Sequence, residues 1–306
     1  MTLASRADTF TGFRMPRRRR FDAATVVVHI TVAGLALLCL FPLLLVLASS
    51  FTDEIALARN GYSIIPSKFS VEAYVAIFNK PAVILRAYAV TTGITLVGTI
   101  LGVSMIALLA YPLSRRDFIL RTPISFMVFF TMLFNGGLVP YYILMTQYLN
   151  VQNTILALLL PHLVGAYYVL ILRTYFSGLP DELFEAARVD GAGEWTIFWQ
   201  IAVPLARPAL ATIALFIALN YWNDWTTALY FIRTPDLYPL QYLLYIIQSN
   251  AQAMALQEQV GQIGTQKLPT ETARMAMAVL ATGPASVLFL FFQKYLVRGV
   301  TLGAFK

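Results

Sequence analysis

The chain has 306 residues, of which 58% are hydrophobic and only 12% charged, with a mean hydropathy of +0.69. A soluble domain carries roughly twice that charge, so the composition excludes one and predicts an all-α integral membrane protein built as a single transmembrane bundle. The net charge of +7 does not argue for nucleic acid, because the basic residues fall between apolar runs, where they act as a topology signal.

Residues 1–24 form a basic tail with Arg6, Arg14 and the run Arg17 to Arg20. The apolar stretch that follows is too long for a signal-peptide core of about 7–15 residues, so Thr25 to Leu47 is expected to be an uncleaved first span. It contains the only cysteine, Cys39, which rules out a disulfide within the chain. Thr52 to Pro81 is mixed and polar and reads as an external loop. The second span is Ala87 to Leu113, with Gly98 and Gly102 in the spacing that lets helices pack closely. Ser114 to Arg121 is a short basic loop. From there to Arg173 no Asp, Glu, Lys or Arg occurs, room for two spans: Pro123 to Phe134, a break from Asn135-Gly136-Gly137 to Asn153, then Thr154 to Tyr175. The fifth span is expected at Ala209 to Tyr230 and the sixth at Met275 to Phe292. An external loop, 232–273, lies between them with a Gln-rich part, Gln248 to Gln266. Residues 25–298 are thus one six-span domain, and 299–306 a short tail. The segments assigned to the cytoplasm hold fifteen of the 22 Lys and Arg residues and the external ones seven, so both termini are expected in the cytoplasm.

The longest run rich in charge is the loop 177–208. Leu179-Pro180-Asp181-Glu182 starts a helix, with proline at the first helical position and acids at the positive end of the dipole. Leu183, Phe184 and Ala187 supply an apolar side; Asp181, Glu185 and Arg188 a polar one. Asp190-Gly191 ends the helix with a left-handed turn. A second helix runs from Glu194 to Gln200 with Trp195, Phe198 and Trp199 on one side, and Pro204 and Pro208 close the unit. Glu185-Ala186-Ala187, Asp190-Gly191-Ala192, Ile201 and Pro204, flanked by spans, resemble the EAA loop of the membrane subunits of bacterial ABC importers. Secondary motifs, among them Asn135 to Pro140, Asn153-Thr154 and Tyr221-Trp222-Asn223, are similar to the carbohydrate-uptake branch of those permeases, the oligosaccharide type that includes aldouronate, alginate and maltose importers.

The resemblance implies a type I importer bundle in the bacterial inner membrane. Its coupling helix, marked here by Glu185, Ala186, Ala187, Asp190, Gly191 and Pro204, sits in a groove of an ATPase. The implied partners are a second permease subunit that is a distinct homologous chain, two ATPases that bind ATP and Mg, an extracytoplasmic solute-binding protein and membrane lipid. The implied cargo is an oligosaccharide, with acidic ones such as alginate or aldouronate fragments included. The chain itself has no phosphate-binding loop G-x-x-x-x-G-K-[ST], so no cofactor and no catalysis of its own are expected. Its two histidines, His29 and His162, stand apart, which makes no metal site. For the solute path, Asn220, Tyr221, Trp222, Asn223 and Trp225 offer rings for sugar C–H faces and amides for hydroxyls; the alternative is an aromatic belt at the interface. His162 reads as a packing histidine, and Asp224 as a cap or a structural partner. A permease for amino acids or peptides shares the loop and remains open. A secondary transporter would carry intramembrane carboxylates, of which only Asp224 qualifies.

Overall fold

The computed structural model describes residues 23–79, 81–259 and 271–302. The basic run Arg17 to Arg20, residues 260–266 of the Gln-rich part and the last four residues lie outside this set. The chain divides into two units, 1–45 and 46–306. Of the first, the described part belongs to α1 (Ala23–Ser50), the expected first span.

The second unit is helical throughout its described residues apart from loops and one bridge, Thr52 to Phe69. α2 (Glu54–Asn60) and α3 (Glu72–Ile77) occupy the first external segment, where Asp53 caps α2 by accepting from the Ala56 amide at 3.1 Å and takes Lys68 Nζ at 3.0 Å. α4 (Pro81–Ser114) is the second span. α5 (Arg121–Leu133) and α6 (Leu138–Tyr148) follow, bent against each other by 114°. α7 (Ile155–His162) and α8 (Ala166–Ser177) form the fourth span with a 46° bend. α9 (Asp181–Val189) is the first loop helix. α10 (Glu194–Leu205) and α11 (Arg207–Asn223) meet at 78°. α12 (Thr226–Phe231), α13 (Leu240–Gln259) and α14 (Glu271–Leu302) complete the chain.

The fifth span is shorter than its hydropathy implies. Tyr230 was expected to end it, but α11 stops at Asn223, because the Asp224 carboxylate turns back to accept from the Thr227 amide at 3.1 Å and the Thr226 hydroxyl at 2.9 Å. That is an N-cap geometry, and it starts the separate helix α12. The first half of the external loop is likewise not loop but α13. Pro180 is the N-cap of α9 and not its first residue, with ψ at 124°; the boundary moves by one position.

Helices that share lipid as solvent gain little from hiding apolar surface and associate through close contact and through hydrogen bonds. α4 and α11 show the first. A methyl group on Gly98 would lie 2.4 Å from carbons of the Tyr221 ring, and one on Gly102 would lie 2.9 Å from the Leu163 carbonyl oxygen. The second appears at several helix breaks and ends. Pro284 in α14 has no N–H for the Leu280 carbonyl. That carbonyl accepts instead from the Tyr88 hydroxyl of α4 at 2.9 Å, and the neighbouring Ala281 carbonyl accepts from Trp222 Nε1 of α11 at 2.9 Å. At the break after α7, Leu163 N–H turns to Leu160, and the Leu159 carbonyl accepts from the Tyr221 hydroxyl at 2.7 Å. Arg173 and Ser177 of α8 donate to the last carbonyls of α4, at Leu113 and Ser114 (3.1 and 3.4 Å). Each of these backbone acceptors thereby fixes one helix to another.

Candidate functional site

The loop between α8 and α11 is a rigid corner. Ala186, Ala187 and Arg188 end α9 in a double-bonded turn: the Gly191 amide donates to the Arg188 carbonyl at 3.0 Å, and the Ala192 amide to Ala187 at 2.9 Å. This geometry needs a residue at positive φ, and Gly191 sits at +80°. The spacing of Glu-Ala-Ala to Asp-Gly-Ala is therefore the spacing of a helix C-terminal seal. The chain then restarts as α10, which contains a π-turn from Phe198 to Ala202 just before Pro204, a residue that cannot donate to the ladder.

The corner is pinned to the end of α4. Phe184 is buried to 1% exposure, with the Arg115 guanidinium 4.2 Å above its ring, and Phe198 at 3% lies 5.2 Å from Tyr111, centroid to centroid. Charged groups close the rim. Arg188 bonds Glu194 Oε1 through Nε (3.0 Å) and Asp117 Oδ2 through Nη2 (3.0 Å), and the Tyr111 hydroxyl donates to Glu194 Oε2 at 3.2 Å. The Glu194 carboxylate holds the Arg188 proton even more firmly than usual. These groups surround a cavity of about 350 Å3. Burying a ring such as Phe184 contributes about 1.5–3 kcal/mol, against about 0.2–1 kcal/mol for each exposed ion pair. The aromatic contacts therefore hold the corner, and the ion pairs set its angle.

What the corner leaves free is the motif itself. Glu185, Ala186, Asp190 and Gly191 are exposed, Ala187 is half-buried, and Val189 is 87% exposed. Leu183, expected on the apolar side, is exposed as well. Trp195, Phe198 and Trp199 do not share a side: Phe198 packs inward, while Trp195 and Trp199 face out. Pro204 is half-buried. The clamp through Tyr111, Asp117 and Glu194 was missed in the sequence, which marks Arg188 as polar but carries no sign of its partners.

At the far end of α11 the predicted stripe separates. Tyr221 and Trp222 are buried at 4% with their polar atoms on the carbonyls of Leu159 and Ala281. Asn220 donates to the Tyr168 hydroxyl at 3.1 Å, and Asn223 to the Leu219 carbonyl at 2.9 Å; both are exposed. Trp225 stacks on Tyr245 at 4.4 Å beside a cavity of about 350 Å3 that also takes in Gln241, Gln248 and Arg274. His162 Nε2 lies 3.0 Å from Asp224 Oδ2, so both residues have the structural partner the sequence allowed. Among the described residues no three His, Cys, Asp or Glu side chains gather as metal ligands.

Known proteins with this architecture agree with one another. The polygalacturonan/rhamnogalacturonan transport system permease protein YtcP of Bacillus subtilis is 35% identical over 291 residues, 95% of this chain and 99% of its own length. The arabinooligosaccharides transport system permease protein AraQ of Halalkalibacterium halodurans is 29% identical, over 95% of this chain and 99% of its length. Among solved structures, a bacterial ABC transporter involved in the import of the acidic polysaccharide alginate superposes with a TM-score of 0.75 at 28% identity, over 92% of this chain and 99% of the other. Matched across residues 9–302, the chain belongs to the family of binding-protein-dependent transport system inner membrane components.

Proposed function

We propose that this protein is a permease subunit of an ATP-driven importer and that its cargo is an oligosaccharide. Two permease subunits, this one and a distinct homologous chain, form the path; two ATPase subunits bind ATP and Mg; an extracytoplasmic binding protein delivers the solute. Both termini and the α9–α10 corner lie on the cytoplasmic side, in keeping with the distribution of Lys and Arg. The saccharide class rests on what the relatives are named for carrying. The chain contributes no catalysis: hydrolysis belongs to the ATPases.

The observation that carries the mechanism is the corner itself. Its inner side is locked to Tyr111 of α4 through Phe184 and Phe198 and to Asp117 in the loop after α4 through Arg188, and its outer side presents Glu185, Ala186, Val189 and Asp190. An element fixed at its base and bare at its tip transmits displacement. The small side chains of Ala186 and Ala187 permit close approach of a partner groove, Val189 supplies an apolar contact, and Glu185 a charge for a cation across the interface. Closure of the ATPase pair on ATP drags the corner, the spans open towards the loaded binding protein, and hydrolysis resets them.

The test is uptake against ATP hydrolysis in vesicles holding the whole importer and its binding protein. Glu185→Ala should leave the complex assembled and lower solute moved per ATP by about tenfold. An unchanged ratio rejects the coupling role.

A further inference from the structure

Three helix breaks meet at one cavity. The turn Asn135-Gly136-Gly137 between α5 and α6, the Pro161-His162 end of α7 and the Thr226-Thr227 start of α12 together line a space of about 680 Å3. α5 has 13 residues, about 20 Å at ~1.5 Å per residue, so the break after it falls inside a hydrocarbon core about 30 Å thick. Non-helical backbone at that depth persists only where protein buries it or where it faces water, since each stranded polar group costs several kcal/mol in lipid.

The side chains at this cavity are those of a site for hydroxyls and not for charge. Tyr141, Tyr230 and Phe231 supply rings; Asn135, His162 and Thr226 supply polar groups; the lining holds no Lys, Arg, Asp or Glu. Asp224 lies behind His162 and orients its imidazole, which also stands edge-on to Tyr221 at 5.4 Å. Asn135 uses its oxygen to accept from the Gly137 amide at 2.9 Å, which leaves its amide nitrogen available. The Tyr141 ring forms part of the wall, with its hydroxyl buried behind the cavity surface; the exposed Tyr230 hydroxyl makes no hydrogen bond to any described residue.

We propose that this cavity is a passage subsite for a hydroxyl-rich saccharide ring, met through its C–H faces and hydroxyls by Tyr230, Asn135 and His162. The inference rests on the reading of the chain as an oligosaccharide permease. It places the solute contact at the three breaks and not at Tyr221 and Trp222, whose polar atoms are already taken.

The experiment uses the complete importer in vesicles, with trigalacturonate, arabinotriose and maltotriose as probes, each offered with the binding protein. Tyr230→Phe removes a hydroxyl that bonds nothing among the described residues, so a merely structural role predicts no change. A passage role predicts a three- to tenfold rise in KM for uptake with ATPase activity retained. Asn135→Ser keeps an oxygen for the Gly137 amide, loses the amide donor and should act alike. Unchanged KM in both variants overturns the proposal. Independently of the cargo, Tyr230→Cys in a Cys39→Ser background should react with a membrane-impermeant, charged thiol reagent, and failure to react overturns it too. If the unaltered importer moves none of the three probes, the saccharide reading itself fails and takes this inference with it. If it moves one and the variants match it, only the inference fails.

Discussion

Gly191 and Phe184 show two kinds of necessity within one short loop. At Gly191 nothing crowds a would-be methyl group; the constraint is the +80° backbone angle alone. Gly191→Val should therefore cost about 1–2 kcal/mol locally and Gly191→Asn clearly less, since asparagine tolerates that angle. Hydrogen exchange across 181–205 would rank them, faster for Val than for Asn, with solute moved per ATP falling in the same order. At Phe184 the constraint is packing: Phe184→Ala should cost about 3–5 kcal/mol, whereas Arg188→Ala should cost under about 1 kcal/mol and mainly loosen the corner. Thermal unfolding of the purified complex separates the two. The glycine was legible in the sequence because the rule that demands it is local. The Arg188 clamp was not, because Asp117 comes from 71 positions away, and nothing in an α-helical pattern names a partner so remote.

The elements repeat this division. Apolar length pointed to the spans, since a run of about 20 apolar residues is long enough to cross a bilayer. It could not show where those runs bend, because a freed carbonyl leaves no mark on hydropathy. The fifth span overran for that reason: Thr226 to Phe231 is as apolar as a span should be, and only the turned-back carboxylate of Asp224 separates it. Pro284 offers a measurement of what such freed carbonyls are worth. Tyr88→Phe should destabilise the fold by about 0.6 kcal/mol, the mean for such bonds in membranes. In a Pro284→Ala background, where the restored N–H serves Leu280, the same change should cost close to nothing. A double-mutant cycle on unfolding in mild detergent reads the difference; equal costs in both backgrounds would show the bond to be incidental. Gly98→Ala, which drives a methyl group against the Tyr221 ring, should cost about 1–3 kcal/mol by overpacking, seen as a lowered melting temperature.

For the whole molecule, the question is how an event at the loop reaches the far end of the bundle. α4 touches both: its C-terminal turn holds the corner through Tyr111, and its middle meets α11 at Gly98 and Tyr221. Tyr111→Phe keeps the ring contacts and deletes only the bond to Glu194. It should leave assembly and basal hydrolysis intact and reduce solute moved per ATP two- to fivefold, measured in reconstituted vesicles; a wild-type ratio would mean that the rings alone carry the displacement. The family was legible from a handful of positions in one loop, because the turn sealed at Gly191 fixes their spacing locally.

The carbonyls of Leu280 and Ala281 bear on how the protein is made. Their donors, Tyr88 and Trp222, leave the ribosome well before them. Through most of synthesis, then, two polar groups sit in the bilayer awaiting a mate, and the last helix to emerge satisfies both at once. A polypeptide ending before residue 280 would lack both acceptors, so it is the last helix that joins the donors of the second and fifth spans.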